Sequence, residues 1–272
     1  MSLRINTNVA ALNAYNNLSA NQSKLEGAFE QLSSGLRINK AADDASGLAI
    51  SQGLTSQING LTQAVSNAND ATNVAQIADG ALGTAQDVLQ RMRTLVVQAA
   101  NSGTQDTDSL SDIQSEITAL NGQLDNISSG TKFGNTALLD GSYTAKTFQV
   151  GANAADTISL SLTASDSTTL GTDAVDVTSA TSTANLTAID AAIKSVSTSR
   201  ASIGATQNQL SYTVTNLQTA ITNVTASRSN LTDADLASEV TTMTQQQILT
   251  NAATSVLAQA NSAPQAILKL LQ

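Results

Sequence analysis

The chain of 272 residues has no cysteine, no histidine and no tryptophan, and it contains a single proline. The absence of cysteine excludes a disulfide framework and thiolate chemistry. The absence of histidine removes the commonest catalytic base and the usual zinc ligand. Aromatic residues make up only 2% of the chain against 41% hydrophobic residues. The apolar side chains are therefore mainly Ala, Leu, Ile and Val, which favours closely packed helices over a bulky globular core.

Basic clusters and long hydrophobic runs are missing as well. The net charge is −9 and no basic run occurs, which argues against a nucleic-acid partner. No stretch of about 18 apolar residues is present, so no membrane insertion is expected. The start, "MSLRINTNVAALNAYNNLSA", has no apolar block of signal-peptide length. The chain is expected to be either cytoplasmic or exported by a route that leaves the N-terminus uncleaved.

The sequence does contain apolar residues that repeat at alternating spacings of three and four. A seam of this kind stays turned toward a partner helix, and several heptads of it are typical of coiled coils. One stripe lies within residues 110–127. A second lies within residues 186–231, where the polar residues Arg200, Gln207 and Arg228 interrupt it.

A third stripe runs from Leu54 to Ala99. We expect its frame to use Val65 and Thr72 and to shift by one residue after Leu82. At about 1.5 Å per residue this stretch would form a helix of roughly 70 Å. The three stripes together predict a mainly α protein, built as a long coiled-coil-like helical rod.

Both ends of the chain repeat the pattern and carry few charges. Near the start it falls on Ile5, Val9, Leu12, Leu18, Leu25, Phe29 and Leu32, and near the finish on Leu249, Ala253, Val256, Ala260, Ala263, Ile267 and Leu270. Burying one large aliphatic side chain contributes about 1.5–3 kcal/mol, so each segment needs a partner that covers it. Pro264 lies inside the second stripe and is expected to kink or restart the helix there.

The middle of the chain changes from a helical to an extended pattern. Residues 147–162, "TFQVGANAADTISLSL", read as two short alternating segments on either side of a loop. They predict a small β-hairpin within residues 132–163. Ser, Thr and Asp dominate residues 164–185, which we expect to form an exposed, variable connection.

Close carboxylate pairs are the only candidates for a metal or catalytic site. Each pair lies just before or at the opening of a helical stripe, where aspartate caps backbone N–H groups, so capping is favoured over metal binding. The pairs are Asp43 with Asp44, Asp106 with Asp108, and Asp233 with Asp235. No phosphate-binding loop and no nucleophile constellation is present. The sequence therefore favours a protein that is not an enzyme and uses no cofactor or metal.

Five stretches of the sequence resemble motifs of one bacterial protein family. The segment "LSSGLRINKAADDASGLAIS" (32–51) closely resembles the passage from the terminal helix of flagellins to the next helix. Four further stretches resemble flagellins equally well: "LRINTNVAALNA", "LQRMRTLVVQAANSG" (89–103), "DADLASE" (233–239) and "SVLAQANSAPQAILKLLQ". The resemblance covers roughly 1–140 and 186–272 and indicates a short flagellin that lacks large outer domains. Phe-Gly-Asn within 132–141 and the final Gln272 depart from the commonest family pattern without weakening the resemblance.

The resemblance implies how the two termini are used. In flagellins the chain ends pair as a helical hairpin that lines the inner tube of the filament. Residues 1–40 and 232–272 would form this hairpin, and residues 41–231 the surrounding rod domain. Head-to-tail contacts that do not close generate a helical filament of identical subunits. The side chains expected to pack in the filament core are Ile5, Val9, Leu12, Leu18, Leu25, Phe29, Leu32, Leu249, Val256, Leu257, Ile267, Leu268 and Leu271.

The resemblance also implies partners and a location. It implies secretion through the flagellar type III channel with an uncleaved N-terminal signal, and an extracellular position in the filament. The implied partners are an export chaperone on the C-terminal segment and the filament cap and hook-junction proteins. A junction protein between hook and filament, from the same family, is the alternative function. A flagellin that carries a zinc peptidase is excluded because the chain has no histidine.

One helix matches the surface that vertebrate hosts recognise in flagellins. Arg91 and Leu95 are four residues apart and are expected to share one helix face. Glu116 lies on the following stripe. The resemblance implies that these three residues contact the flagellin-sensing Toll-like receptor of vertebrates. A role in packing and assembly alone is the alternative for all three.

Overall fold

A computed structural model describes residues 7–101, 103–179 and 182–270 of the chain, with side chains described for the same residues except 182 and 263–270. Two of the predicted core residues, Ile5 and Leu271, lie outside the described residues. Ile267 and Leu268 lie in a described helix, but their side chains are not among those described.

Helices dominate the described part of the chain. They are α1 (Val9–Ser34), α2 (Ala45–Ala99), α3 (Thr107–Gly130), α4 (Ser167–Leu170), α5 (Ser182–Thr232) and α6 (Leu236–Leu270). The strands are β1 (Lys132–Phe133), β2 (Thr136–Ala137), β3 (Lys146–Gln149) and β4 (Thr157–Leu160). The prediction of a mainly α protein with paired terminal helices and a small hairpin is confirmed.

The chain divides into two compact units. One unit contains the residues up to 56 together with those from 223 onward, and the other contains residues 57–222. The domain division expected from the sequence, with residues 1–40 and 232–272 on one side and 41–231 on the other, stays a prediction.

The core of unit 57–222 is organised by one unbroken heptad seam on α2. Every residue of this seam is at most 7% exposed: Leu61, Ala64, Ala68, Ala71, Ala75, Ala78, Leu82, Ala85, Leu89, Met92 and Val96. The predicted use of Val65 and Thr72, and the predicted shift after Leu82, are therefore wrong. Both of those larger residues are only half-buried beside the seam. The smaller Ala64 and Ala71 take the buried positions.

Larger aliphatic residues on α3 and α5 fill the space that the alanines leave. They are Ile113, Ile117 and Leu124 on α3 and Ile189, Val196, Ile203, Leu210 and Leu217 on α5, as the stripes predicted. Alanine lets neighbouring helices approach closely, and a large residue opposite keeps the interior filled to a normal density. The many alanines of α2 are thus matched by leucine and isoleucine on its neighbours.

Arg200 is the polar interruption of α5 with the clearest role. Its Nε donates to Asp79 Oδ1 at 2.8 Å and its Nη1 donates to Gln86 Oε1 at 2.9 Å. Gly83 lies between these two residues on α2, and a Cβ there would come within 3.9 Å of the guanidinium carbon. Arg200 therefore spans two turns of α2 over a position that carries no side chain.

The predicted hairpin is confirmed. Strands β3 and β4 pair antiparallel, with Phe148 opposite Ile158. Val150 and Ile158 pack with Ala68 and Ala71 of α2. The hairpin is thereby joined to the same alanine seam that holds the helices.

The expectation of an exposed connection over residues 164–185 is wrong in part. Leu170, Val175 and Val177 are buried in the main core. The side chain of Gln114 on α3 accepts from the Val177 N–H at 2.9 Å and donates to the Val175 carbonyl at 3.1 Å. The high content of Ser, Thr and Asp predicted an exposed segment. However, Val175 and Val177 are two residues apart, so an extended backbone turns both side chains inward and the side chain of Asp176 outward, as in a strand.

Helix α6 continues past Pro264 to Leu270, so the helix does not restart there, and the expected kink stays a prediction. A proline removes one hydrogen bond from the helical ladder. The remaining bonds on either side carry the helix through this position.

The alanine seam generates a stability prediction. Ala75→Leu inserts three carbons where Ala75 is 0% exposed, and overpacking of a filled core should cost about 1–3 kcal/mol of unfolding free energy. Chemical denaturation followed by circular dichroism measures the loss. Ala49→Leu, at an exposed position of the same helix, is the matched control. Equal midpoints for the two variants would contradict the small-to-large packing of α2.

Candidate self-assembly surface of the terminal helices

Helices α1 and α6 pair along a heptad stripe of small and medium-sized residues. On α1 the stripe of buried or half-buried residues contains Ala11, Ala14, Leu18, Asn21, Leu25, Ala28 and Leu32, with Gly27 and Gln31 half-buried beside it. On α6 the half-buried stripe contains Glu239, Met243, Gln246, Thr250, Ala253, Leu257 and Ala260. Both sets alternate spacings of three and four, which is the pattern of a helix pair. We call these the pairing faces.

One end of the pair, the connected end, is held by the backbone. The Arg37 N–H donates to the Thr232 carbonyl at 2.7 Å, and the Ala234 N–H donates to the Gly35 carbonyl at 2.9 Å. Arg37 Nη2 also donates to the Leu231 carbonyl at 2.7 Å, near the last turn of α5. Gly35 ends α1 with φ of +70°, a conformation that a side chain would strain. The connections α1–α2 and α5–α6 are therefore tied to each other.

Aspartates order the segment that leads from the connected end into α2. Asp43 Oδ2 accepts from the N–H groups of Asn39 and Lys40, each at 3.1 Å. Asp44 Oδ1 accepts from the Gly47 N–H at 2.8 Å, in the first turn of α2. Asp106 and Asp235 accept in the same way from the first turns of α3 and α6. The predicted capping role is confirmed for Asp44, Asp106 and Asp235, but not for Asp43, which accepts from the loop before α2, or for Asp233, which accepts from the hydroxyl groups of Ser229 and Thr232. No group of three metal-ligand side chains occurs among the residues described.

At the other end of the pair, the open end, one side-chain bridge joins the two helices among the described residues. Asn8 Oδ1 accepts from the Ala11 N–H at 3.0 Å and caps α1. Asn8 Nδ2 donates to the Ala260 carbonyl of α6 at 2.8 Å. One amide therefore connects the first turn of α1 to the last part of α6.

Large apolar side chains cover the faces of α1 and α6 that point away from the pair. Each of them is between 40% and 62% exposed: Val9, Leu12, Tyr15 and Phe29 on α1, and Val240, Ile248, Leu249 and Val256 on α6. Only three charged residues lie on α1, Lys24, Glu26 and Glu30, and two on α6, Glu239 and Lys269. Apolar surface of this extent with so little charge marks an interaction site. We call these the outer faces.

The predicted core residues divide between the two kinds of face. Leu18, Leu25, Leu32 and Leu257 lie on the pairing faces, whereas Val9, Leu12, Phe29, Leu249 and Val256 lie on the outer faces. Sequence reasoning missed Ala11, Ala14 and Ala28, because it chose the larger residue wherever two frames competed. It also missed Tyr15, Val240 and Ile248, which continue the outer faces.

The predicted receptor-contact residues lie on α2 and α3. Arg91 Nη2 and Glu116 Oε1 form an ion pair at 2.7 Å, and both side chains are about half exposed. Leu95 is 2% exposed and belongs to the main core, so it does not share the exposed face with Arg91. At this level α2 forms ion pairs with both neighbours, from Arg91 to Glu116 of α3 and from Arg93 to Asp190 of α5.

Among the described residues, no helix is long and apolar enough to cross a membrane. The open grooves lie on helix surfaces: one of about 420 Å³ follows the outer face of α6 from Val240 to Leu249. These features define a helical protein whose terminal helices expose large apolar side chains that another chain can cover.

Comparisons with known proteins agree with this class. The profile of the bacterial flagellin N-terminal helical region matches residues 5–144, and that of the C-terminal helical region matches residues 186–271. The flagellin of Bacillus subtilis (strain 168) is 42% identical, with 99% of this chain and 100% of that protein covered. The flagellin of Halalkalibacterium halodurans is 41% identical, with 98% and 99% covered. The chain belongs to the bacterial flagellin family.

Longer relatives and solved structures agree. The B-type flagellin of Pseudomonas aeruginosa is 46% identical over 60% of this chain, but only 33% of that protein is covered, so this chain is a short form. The crystal structure of Bacillus cereus flagellin is 28% identical and covers 56% of this chain and 88% of its own, with a TM-score of 0.50. A putative flagellar hook-associated protein from Vibrio parahaemolyticus has a TM-score of 0.60 over 70% of this chain and 100% of its own. Its 17% identity shows the fold alone.

Asp43 generates a pH prediction. Hydrogen bonds from the Asn39 and Lys40 N–H groups hold the pKa of Asp43 below its ordinary value. Its stabilisation is therefore complete above the unfolded pKa of about 3.9 and is lost as pH falls through the lower folded pKa. Asp43→Asn keeps an acceptor oxygen that does not titrate. We expect the denaturation midpoint of the wild type to fall relative to this variant as pH drops from about 5 to 2.

Carbon NMR of the Asp43 carboxyl group measures the same property directly. A folded-state pKa at or above the ordinary aspartate value would contradict the proposed order of residues 38–44.

Proposed function

We propose that this chain is the structural subunit that polymerises head-to-tail into the bacterial flagellar filament used for swimming. The observation that carries this function is the pair of outer faces on α1 and α6. These faces are apolar and nearly uncharged, and each lies on a helix whose other face is already used for pairing. Membership of the flagellin family supports the same conclusion.

A second copy of the chain fits the outer faces best. The face on α1 contains two aromatic rings, Tyr15 and Phe29, while the face on α6 contains aliphatic residues only. The two surfaces differ, so a contact between α1 of one copy and α6 of another would be heterologous. Such a contact can repeat without closing, which generates a helical filament. The expected filament-core residues, including Ile5, Ile267, Leu268 and Leu271 at the chain ends, belong to this proposal.

The junction protein between hook and filament is the weaker candidate. The relatives that align over nearly their whole length carry the name flagellin. The hook-associated protein is similar only in fold. The filament subunit is therefore the function that we assign.

Export and assembly partners follow from this function. The chain passes unfolded through the flagellar type III channel with its N-terminus uncleaved, and it resides outside the cell in the filament. An export chaperone covers the C-terminal segment, because Val256 and Leu257 would otherwise meet other copies too early. The filament cap and the hook-junction proteins contact the terminal segments at the two ends of the polymer.

Seeded polymerisation tests the outer faces. Val256→Asp places a charge at an outer position that is 58% exposed, so the monomer should keep its helical content while filament growth is lost. Ser211→Asp adds the same charge at an exposed position of α5, outside the terminal pair, and is the matched control. Electron microscopy after addition of filament seeds measures growth. Normal filaments from the Val256→Asp protein would contradict the proposed surface.

We also propose that the monomer is recognised by the flagellin-sensing Toll-like receptor of vertebrates through Arg91 and Glu116. Both side chains are about half exposed. Their ion pair places the guanidinium group of Arg91 on α2 beside the carboxylate of Glu116 on α3, where a partner protein can contact both groups. Arginine is enriched among interface hot spots. Leu95 supports this strip from within the core, because its side chain is buried.

Reporter cells test this recognition with a matched pair of variants. Arg91→Ala should weaken signalling by purified monomer by at least about tenfold, because truncation of a hot-spot arginine can cost about 2 kcal/mol or more. Arg93→Ala removes a similar exposed ion pair, with Asp190 at 2.7 Å, from a neighbouring position of the same helix and should change signalling little. Equal responses from the two variants would show that Arg91 has no specific role.

A further inference from the structure

The open end of the terminal pair depends on an unusual acceptor. In an α-helix each carbonyl accepts from the N–H four residues later. The residue four positions after Ala260 is Pro264, which has no N–H. Helix α6 continues beyond it, so the Ala260 carbonyl is a free acceptor inside a helix rather than at its end. Asn8 Nδ2 occupies this acceptor at 2.8 Å.

This acceptor is unique along α6. The chain contains one proline, so no other carbonyl of α6 before its last turn is freed in this way. The heptad stripe alone does not specify one alignment of α1 along α6. Apolar contacts have no direction, and similar residues recur every seven positions, so shifted alignments would also bury apolar residues. A hydrogen bond to one particular carbonyl marks one particular alignment of the two helices.

Asparagine is the residue type that this position requires. Its Oδ1 caps α1 by accepting from the Ala11 N–H, and its Nδ2 donates across to α6. Aspartate would cap equally well but has no donor. Serine and threonine cap helices with a hydroxyl group that is too short to reach a second helix at the same time.

We infer that Asn8 is a positioning residue for filament assembly. It fastens the open end of the terminal pair by joining the N-cap of α1 to the carbonyl that Pro264 frees in α6. The backbone bonds of the connected end hold the opposite end. With both ends held, Val9 and Leu12 of α1 stay aligned with Val256 of α6, and a neighbouring subunit meets one defined surface. This inference rests on the proposed function as a filament subunit.

Asn8→Asp separates the bridge from the cap. The variant keeps the N-cap acceptor and loses the donor to Ala260. We expect the critical concentration for seeded growth to rise about fivefold, which corresponds to the net contribution of one hydrogen bond. Asn17→Asp, at an exposed position of the same helix that is not beside Val9 or Leu12, is the matched control for the added charge.

Pro264→Ala tests the origin of the acceptor. It restores an N–H at position 264, so the Ala260 carbonyl gains a donor from its own helix. In this background Asn8→Asp should change assembly far less than it does in the wild type, a coupling that a double-mutant cycle measures. An equal effect of Asn8→Asp in both backgrounds would overturn the inference.

Distances between spin labels locate the effect, because the chain has no cysteine of its own. Labels at positions 16 and 255 report the open end, and labels at positions 33 and 238 report the connected end. In filaments diluted with unlabelled subunits, Asn8→Asp should broaden the first distance distribution and leave the second unchanged. Two unchanged distributions would overturn the inference.

Failure of the wild type to form filaments would instead count against the proposed function. Normal wild-type growth together with an unaffected Asn8→Asp variant would count against the role of Asn8 alone.

Discussion

Heptad packing of small residues against larger ones supports both compact units of this chain. In unit 57–222, alanines on α2 face leucine and isoleucine on α3 and α5. In the terminal unit, Ala11, Ala14 and Ala28 contribute to the pairing face of α1. Small side chains bring the helices close together, and close packing supplies dispersion contacts that a chain with few aromatic residues cannot obtain from large rings. The hairpin also depends on this seam, because Val150 and Ile158 pack on Ala68 and Ala71.

The terminal pair uses one face of each helix and leaves the other without a cover. The pairing faces hold α1 and α6 together, while the outer faces keep aliphatic and aromatic side chains in contact with water. Apolar burial is worth about 25 cal/mol per Å², so covering these faces by other copies gives assembly a driving force that the single chain lacks. In a filament, neighbouring subunits would cover the apolar side chains that the single chain leaves exposed.

Polar side chains fix the relative positions of the helices, which the heptad contacts alone do not specify. Arg37, Asp43 and Asp44 organise the connected end, Arg200 crosses α2 over Gly83, and Asn8 bridges the open end. Each makes hydrogen bonds to particular backbone or side-chain atoms, and such bonds specify a geometry that apolar contacts alone leave open. None of these groups forms a chemical site. Their common role is to set the positions of helices that the seams hold together.

The sequence by itself determined the class of fold, the helical stripes of α3 and α5, the hairpin and the capping aspartates, because these features depend on spacing along one element. The flagellin motifs determined the family in the same local way. Only the tertiary structure decided which of two competing frames is buried, since Ala64 and Ala71 could take the seam of α2 only if large residues faced them from other helices. It also decided that Leu95 is buried, that Val256 points outward, and that Leu170 and Val175 pack inside a segment rich in Ser and Thr. Pro264 shows the physical reason most clearly. Along the sequence it removes a hydrogen bond, but in the folded chain the carbonyl that it frees meets Asn8 from the opposite end of the sequence.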